Sequence, residues 1–527
     1  LGVLWWALAS LAQAQTGSLP AEVDAALRRA RVPADALSVV VHEAGSGREL
    51  LAWRADEPVN PASLFKLVTT YAALDLLGPA WSWSTPVLVN GTLGPDGVLD
   101  GSVTLQGRGD PKLVVEKVWL LLRRLQQAGV REIRGDILLD RSAFAASTRA
   151  PGDFDGEPHR PQNVQPDALL LNQKTVVYSF LPDPALGRAR IAVEPPLAGV
   201  QVDASVPLSR GPCDDWRTTL KPQLIEPASV RFAGSYPEAC GERSWPVASA
   251  EPSSFGARLV ARLWQELGGR LGGQVRDGQT PAGSRLLFEH SSPPLAEVVR
   301  DINKFSNNVM AEQLFLSLAL PPTSAPVSAA AASPASPASV ASPDAAAVAA
   351  SASPQAASVL VQVPVPVTMQ DARALLQRWL ANRFGEASLG GLVIDNGSGL
   401  SRDARLRPRL LARLLQAAWD GPVMSELMSS LPVSGTDGTL RRSAAAPGRA
   451  HLKTGSLRDV AGLAGYVWST SGRRHVVVAV VNHPQAAAAR PALDALVQWV
   501  ARDGEAPGHA AGVSPSKPAE TTARPAP

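Results

Sequence analysis

Past its first residues the chain contains no long uncharged apolar run, so the mature protein is not expected to carry a membrane-spanning helix. A net charge of +3 over 527 residues, with no basic block interleaved with aromatics, does not suit nucleic acid as a partner. The 7 histidines form no H-E-x-x-H, which argues against a zinc peptidase. No G-x-S-x-G is present, so the nucleophile turn of a Ser-His-Asp hydrolase is missing too. There are 2 cysteines, Cys213 and Cys240, and neither has a histidine beside it, so no metal site is indicated and no cofactor is implied.

With 45% hydrophobic residues over this length, two or three domains are expected. The apolar run from Leu1 to Leu11 ends in Ala12-Gln13-Ala14 before Gln15, the pattern of an h-region with an A-x-A cleavage site, so residues 1–14 read as a signal-peptide remnant. An exported chain with two cysteines invites one disulfide across the polar segment between them, worth roughly 3 kcal/mol in the chain-entropy model. Two reduced buried thiols are the alternative.

A hairpin is expected at 37–53, where Ser38-Val39-Val40-Val41 and Glu49-Leu50-Leu51-Ala52-Trp53 flank Ala44-Gly45-Ser46-Gly47. From 86 to 249, short β-branched runs, one helix near 114–128 and many Pro/Gly turns read as an inserted, mainly β region. Helical spacing returns near 254–267 and 294–303, breaks at Lys304-Phe305-Ser306-Asn307-Asn308, and resumes. The stretch 321–366 is Ala/Ser/Pro/Val with almost no charge and reads as a disordered insertion; 506–527 reads as a disordered tail. Strands at Gly465-Tyr466-Val467-Trp468 and 475–481, then a closing helix, end the folded part.

The chain is organised around Asn60-Pro61-Ala62-Ser63-Leu64-Phe65-Lys66. Leu64, Leu67, Val68 and Tyr71 have the spacing of a buried helix face, which puts Ser63 in a first turn and Lys66 close enough to reach its hydroxyl. A serine becomes a nucleophile when a neighbouring base takes its proton, and a lysine serves when burial or a nearby cation lowers its pKa. The string alone also fits a helix-start serine with a snorkelling lysine. Ser514-Pro515-Ser516-Lys517 matches it by chance in a Pro/Ala-rich tail.

Two further strings follow in order: Ser306-Asn307-Asn308 at a helix–loop–helix corner, and Lys453-Thr454-Gly455 before Ser456 on a strand. S-x-x-K, S-D-N and K-T-G together are the signature of penicillin-interacting serine enzymes. The wide gap between the first two motifs resembles the class C low-molecular-mass penicillin-binding proteins, the D-alanyl-D-alanine carboxypeptidase/endopeptidases of the bacterial periplasm. Gly107-Arg108-Gly109-Asp110-Pro111, the Asn396-Gly-Ser-Gly-Leu-Ser-Arg run and 431–442 match as well. The Cys-bearing segment and the 321–366 insertion depart from the pattern.

The resemblance implies an α/β transpeptidase/β-lactamase-like domain, an antiparallel sheet flanked by helices, built from 15–85 and 250–505, with a mainly β domain pair at 86–249. It implies Ser63 as nucleophile, Lys66 as base, and Ser306 relaying a proton to the leaving amine. Asn308 would bind the substrate backbone and hold Lys66, Lys453 and Thr454 would take a terminal carboxylate, and the N–H groups of Ser63 and Ser456 would form the oxyanion hole behind Gly455. Peptidoglycan stem peptides and β-lactams are the implied partners. By a weaker resemblance, Asp153, Asp155 and Glu157 would meet the amine of a diamino acid. The alternative is a degenerate penicillin-binding domain serving as a cell-wall scaffold.

Overall fold

The computed structural model describes residues 18–224, 228–321 and 365–504. The signal-peptide remnant, nearly all of 321–366 and the 506–527 tail lie outside the described residues. By its contacts the chain forms two compact units, one holding the residues up to Leu64, Gly390–Leu392 and the chain from Arg405, the other Phe65–Leu389 and Val393–Ala404.

The first unit is built on a five-stranded antiparallel sheet in the order Ala450–Leu457, Val460–Trp468, Arg474–Asn482, Leu37–Glu43, Glu49–Trp53. The two ends of the chain are thus sewn together, with Val39 opposite Ala479 and Val41 opposite Val477. Continuous valine runs make these strands because both faces are covered. Val39 and Val41 share one core with helices Ala21–Arg29 and Arg490–Ala501. On the other face His42 Nε2 meets Gln416 Oε1 at 3.0 Å and the Tyr466 hydroxyl donates to Leu415 O at 2.8 Å, both on helix Pro408–Trp419.

The second unit starts with helix Phe65–Leu77, which is buried on every side from Phe65 to Leu74. The spacing predicted a single buried face; the helix instead runs through the interior, which its uncharged stretch from Leu67 to Leu74 permits. Downstream lie two larger sheets and a small one. Ser84–Leu93 and Val98–Gln106 form a hairpin in a seven-stranded mixed sheet covered by helices Val115–Gln127 and Pro252–Glu266, whose apolar faces enter its core. Glu132–Ile133, Ile137–Asp140, Arg270–Leu271, Val275–Asp277 and Arg285–Ser291 complete this sheet. No strand was read from sequence at 270–291, because two of these pieces are only two and three residues long and Arg285–Ser291 contains no β-branched residue.

The other large sheet, Tyr236–Pro237, Ser205–Ser209, Arg188–Glu194, Thr175–Asp183 and Arg243–Ala248, packs around Phe180, Trp216, Phe232 and Tyr236. A Cys213–Cys240 disulfide, Cα–Cα 4.8 Å, staples the segment carrying this aromatic cluster.

Candidate active site

In the first unit the Ser63 turn rests against the K-T-G strand. Asn60 fixes the entry: its N–H donates to Asn482 Oδ1 at 2.8 Å, its carbonyl accepts from Asn482 Nδ2 at 3.0 Å, and its Oδ1 accepts the Ala62 N–H at 2.9 Å. Ala62 is left-handed at φ 47°, a strained state for alanine, and Ala62–Leu64 form a 3-10 turn leading into helix Phe65–Leu77. Ser63 is therefore one turn ahead of the α-helix rather than inside it, and half-buried. A Cβ on Gly455 would lie 2.8 Å from Pro61 O and 3.1 Å from Leu64 Cγ, so the glycine admits this turn.

Lys453 is wholly buried and its Nζ donates to Thr454 O at 2.7 Å. Thr454 Oγ1 donates to Thr439 Oγ1 at 2.8 Å, which ties in the 431–442 stretch. Ser456 is exposed, and its Oγ accepts from Arg490 at 3.3 Å. The strand lies at the sheet edge, covered at its start by Ser434 N–H donating to Ala450 O and Leu452 N–H donating to Pro432 O, both 2.9 Å.

The second unit brings Lys66 and Asn308 together. Lys66 is wholly buried, and its Nζ donates to Asn308 Oδ1 and Ser398 O, each at 2.6 Å. Burial lowers this amine to about 7, with the Glu312 carboxylate pulling the other way. Asn308 begins helix Asn308–Ser317, capped by Asn307, whose Oδ1 accepts the Met310 N–H at 3.0 Å. Ser306 is not the cap; it closes helix Leu295–Phe305 in the left-handed region at φ 57° and is half-buried at the corner.

Ser398 owes its position to a tight turn. Gly397 and Gly399 have φ of 73° and 74°, and a Cβ on Gly397 would strike the Phe315 ring at 2.5 Å. Asn396 Oδ1 accepts the Ser398 N–H at 3.0 Å, and Thr69, one turn after Lys66, donates to Gly397 O at 2.7 Å. Sequence reading missed Ser398, Glu312 and Arg149. Glu312 is 3% exposed, accepts from Ser398 Oγ at 3.1 Å and pairs with Arg149 at 2.8 Å. Burial pushes its carboxyl up to about 7 against the pull of Arg149. A lone carboxylate four residues after Asn308, in an otherwise uncharged helix, was the available signal.

The acidic cluster divides between two settings. Asp155 is committed within its own loop, accepting from Asn163 Nδ2 at 2.7 Å, Glu157 N–H at 3.0 Å and Arg160 at 3.3 Å, while Glu157 pairs with Arg160 at 3.4 Å. Asp153 instead lines, with Arg149, Phe154, Glu312 and Arg402, a cavity of about 180 Å³. Among the described residues no His/Cys/Asp/Glu cluster could hold a metal ion.

The profile of the D-Ala-D-Ala carboxypeptidase 3 (S13) family matches residues 19–338 and 353–503. The chain belongs to this family. It is a serine-type D-Ala-D-Ala carboxypeptidase of the class C low-molecular-mass penicillin-binding type. This S13 carboxypeptidase is 26% identical over 501 residues to the D-alanyl-D-alanine carboxypeptidase of Actinomadura sp. (strain R39), covering 90% of this chain and 83% of that one. It is 25% identical over 452 residues to the D-alanyl-D-alanine carboxypeptidase DacB of Haemophilus influenzae, covering 80% of each. The crystal structure of penicillin binding protein 4 from H. influenzae has the same fold, with a TM-score of 0.66 at 21% identity, over 90% of this chain and 99% of that one. The transpeptidase-like fold with inserted β domains is thus the S13 fold.

Proposed function

We propose that this carboxypeptidase removes the terminal D-Ala of peptidoglycan stem peptides through an acyl-enzyme on Ser63. Ser63 Oγ attacks the carbonyl of the penultimate D-Ala while Lys66 takes the hydroxyl proton. The C–N bond breaks, and the terminal D-Ala leaves as its amine, protonated by way of Ser306. Water then cleaves the ester and restores the hydroxyl. The N–H groups of Ser63 and Ser456 stabilise the oxyanion, and Lys453 and Thr454 take the substrate carboxylate. A penicillin follows the same path, but its amine stays tethered to the opened ring, so the adduct persists.

The observation that carries this reading is the state of Lys66: wholly buried, held by two oxygens at 2.6 Å, and lowered to about 7. Fluorescent penicillin should label the wild type and Ser514→Ala, but not Ser63→Ala. An adduct surviving in Ser63→Ala would overturn the mechanism, and an unlabelled wild type would favour the scaffold alternative.

Endopeptidase activity is supported by a separate feature. Peptidoglycan cross-links end at the side-chain centre of a diamino acid, which presents an amine and a carboxylate. The cavity of about 180 Å³ offers both signs, with Asp153 as well as Arg149 and Arg402 in its lining. Release of monomers from cross-linked dimers by the purified enzyme tests it. Export to the periplasm is supported by the A-x-A site after the apolar start. Among the described residues no helix is long and apolar enough to cross a membrane.

A further inference from the structure

Glu312 has no part in that mechanism, yet it is built into the surroundings of the base. Asn308 and Glu312 are four residues apart on one helix and so share a face. Asn308 accepts from Lys66 directly; Glu312 reaches it through Ser398, whose carbonyl accepts from Lys66 Nζ at 2.6 Å and whose Oγ lies 3.1 Å from Glu312 Oε1. Arg149, whose side chain is 38% exposed, donates to Glu312 Oε2 at 2.8 Å.

The Ser398 hydroxyl has one proton and two acceptors, Glu312 Oε1 at 3.1 Å and Asn396 Oδ1 at 2.9 Å. With Glu312 ionised, the hydroxyl serves only one of them at a time. With Glu312 protonated, the carboxyl donates to Ser398 Oγ and the hydroxyl passes its own proton to Asn396, so the chain of bonds is complete. Arg149 favours the ionised form. The local geometry therefore accommodates both charge states.

We propose that Glu312 is a positioning residue that shares one proton with Lys66 and thereby sets the pH at which the amine becomes a base, with Arg149 biasing the carboxylate toward its ionised form. Ammonium with carboxylate and amine with carboxylic acid hold the same number of protons, and only the second pair contains a base. The other charged groups around Glu312 in this unit include Asp395, which opposes its ionisation and is itself tied to Arg373 at 2.9 Å, and Asp153, Arg402 and Asp403, which line the same cavity. Burial lowers Lys66 and raises Glu312, each to about 7, so burial favours the uncharged pair while the attraction between the two charges favours the ionised one.

This inference rests on Lys66 as the base, and the test separates the two ideas. Protein carrying ε-¹³C-lysine is titrated by NMR, the Lys66 resonance being identified by its loss in Lys66→Arg, and penicillin acylation is followed over the same pH range. An ionised Glu312 raises the lysine, so Glu312→Gln should move the Lys66 midpoint to lower pH by about one unit. Arg149→Gln should move it the same way by less, and should add nothing in the Glu312→Gln background. Arg149 is partly exposed, so its variant keeps the test available should Glu312→Gln not fold. A Lys66 midpoint unchanged in the folded variants would overturn the inference, because a merely structural Glu312 would alter stability and leave the titration in place. A midpoint that moves while the acylation profile stays put would keep the proton shared by Glu312 and Lys66 but overturn Lys66 as the base, and with it the claim that Glu312 sets the pH of catalysis.

Discussion

Lys66 and Lys453 are both wholly buried, one in an interior helix and one on the edge strand of a sheet, and the fold treats their amines differently. Lys66 points its amine at oxygens fixed by other segments, Asn308 at a helix start and Ser398 in a glycine turn. Lys453 donates to the carbonyl of the next residue on its own strand. A side chain inside a helix packed on all sides meets a complete shell of partners. An edge strand keeps a row of backbone groups for something to be added. The first setting suits a base, which must lose its charge; the second suits a cation that meets an incoming anion.

The largest effect should separate the two lysines by role. Lys66→Arg keeps a cation but supplies no base at neutral pH, so penicillin acylation should fall by roughly 10²–10⁴-fold. In the wild type, acylation needs the neutral amine, so its rate should rise with pH through a midpoint near 7, the value to which burial brings Lys66. Below that midpoint the ammonium dominates and the rate falls; the limb should vanish in Lys66→Arg. Stopped-flow acylation between pH 5 and 9, a range chosen to bracket about two units each side of the midpoint, measures both. A retained rate or a flat wild-type profile would erase the distinction between the two lysines.

Lys453→Ala should cost less and in another way. A charge-assisted contact to a carboxylate contributes about 1.5–3 kcal/mol, which is roughly 10- to 150-fold in kcat/KM. The acid limb should stay where it is, because the residue bonded to Ser398 and Asn308 is Lys66. A shift of that limb in Lys453→Ala would mean that the strand lysine also tunes the base.

How much of this was legible beforehand follows from how local each signal is. The strands at 37–43 and 474–482 showed in the sequence because valine runs covered on both faces announce themselves. The three motifs were legible because each is a short string with a local context, helix start, corner or strand. Arg270–Leu271 and Val275–Asp277 were not, since two- and three-residue strands exist only through their partners at 132–133 and 137–139. Glu312 and Arg149 meet across 163 residues of chain, and no spacing rule could pair them. Asp155 was overread because a cluster of carboxylates looks available until Asn163 and Arg160 are seen to occupy it.

Between the lysine substitutions and a remote change lies Gly455→Ala. Its backbone φ is not in the left-handed region, so only the added methyl matters, 2.8 Å from Pro61 O. The Ser63 turn must give way by a fraction of an ångström, and since about 1 Å of misplacement costs on the order of 10²-fold, roughly tenfold slower acylation is expected, together with a stability loss of about 1–3 kcal/mol from crowding the backbone. An unchanged acylation rate would show that the turn's contact with the strand does not aim Ser63.

The smallest effect on chemistry should come from the disulfide, and it completes the contrast between site and remote scaffold. Cys213 and Cys240 lie 27 residues apart and staple the sheet whose core is Phe180, Trp216, Phe232 and Tyr236. In the chain-entropy model a loop of this size contributes roughly 3–4 kcal/mol, so the Cys213→Ser/Cys240→Ser pair should lower the unfolding temperature of that region by several degrees. The bonds described above for Asn60, Lys66 and Asn308 run to Asn482, Ala62 and Ser398, all outside the stapled segment. Acylation by penicillin at 25 °C, a temperature taken to be about the usual reference and well below unfolding, should therefore stay within about twofold. Differential scanning calorimetry beside the acylation assay reads both quantities on one sample. A large acylation loss with the calorimetric transition intact would mean that the stapled sheet reaches the site through contacts other than those holding Lys66 and Ser63.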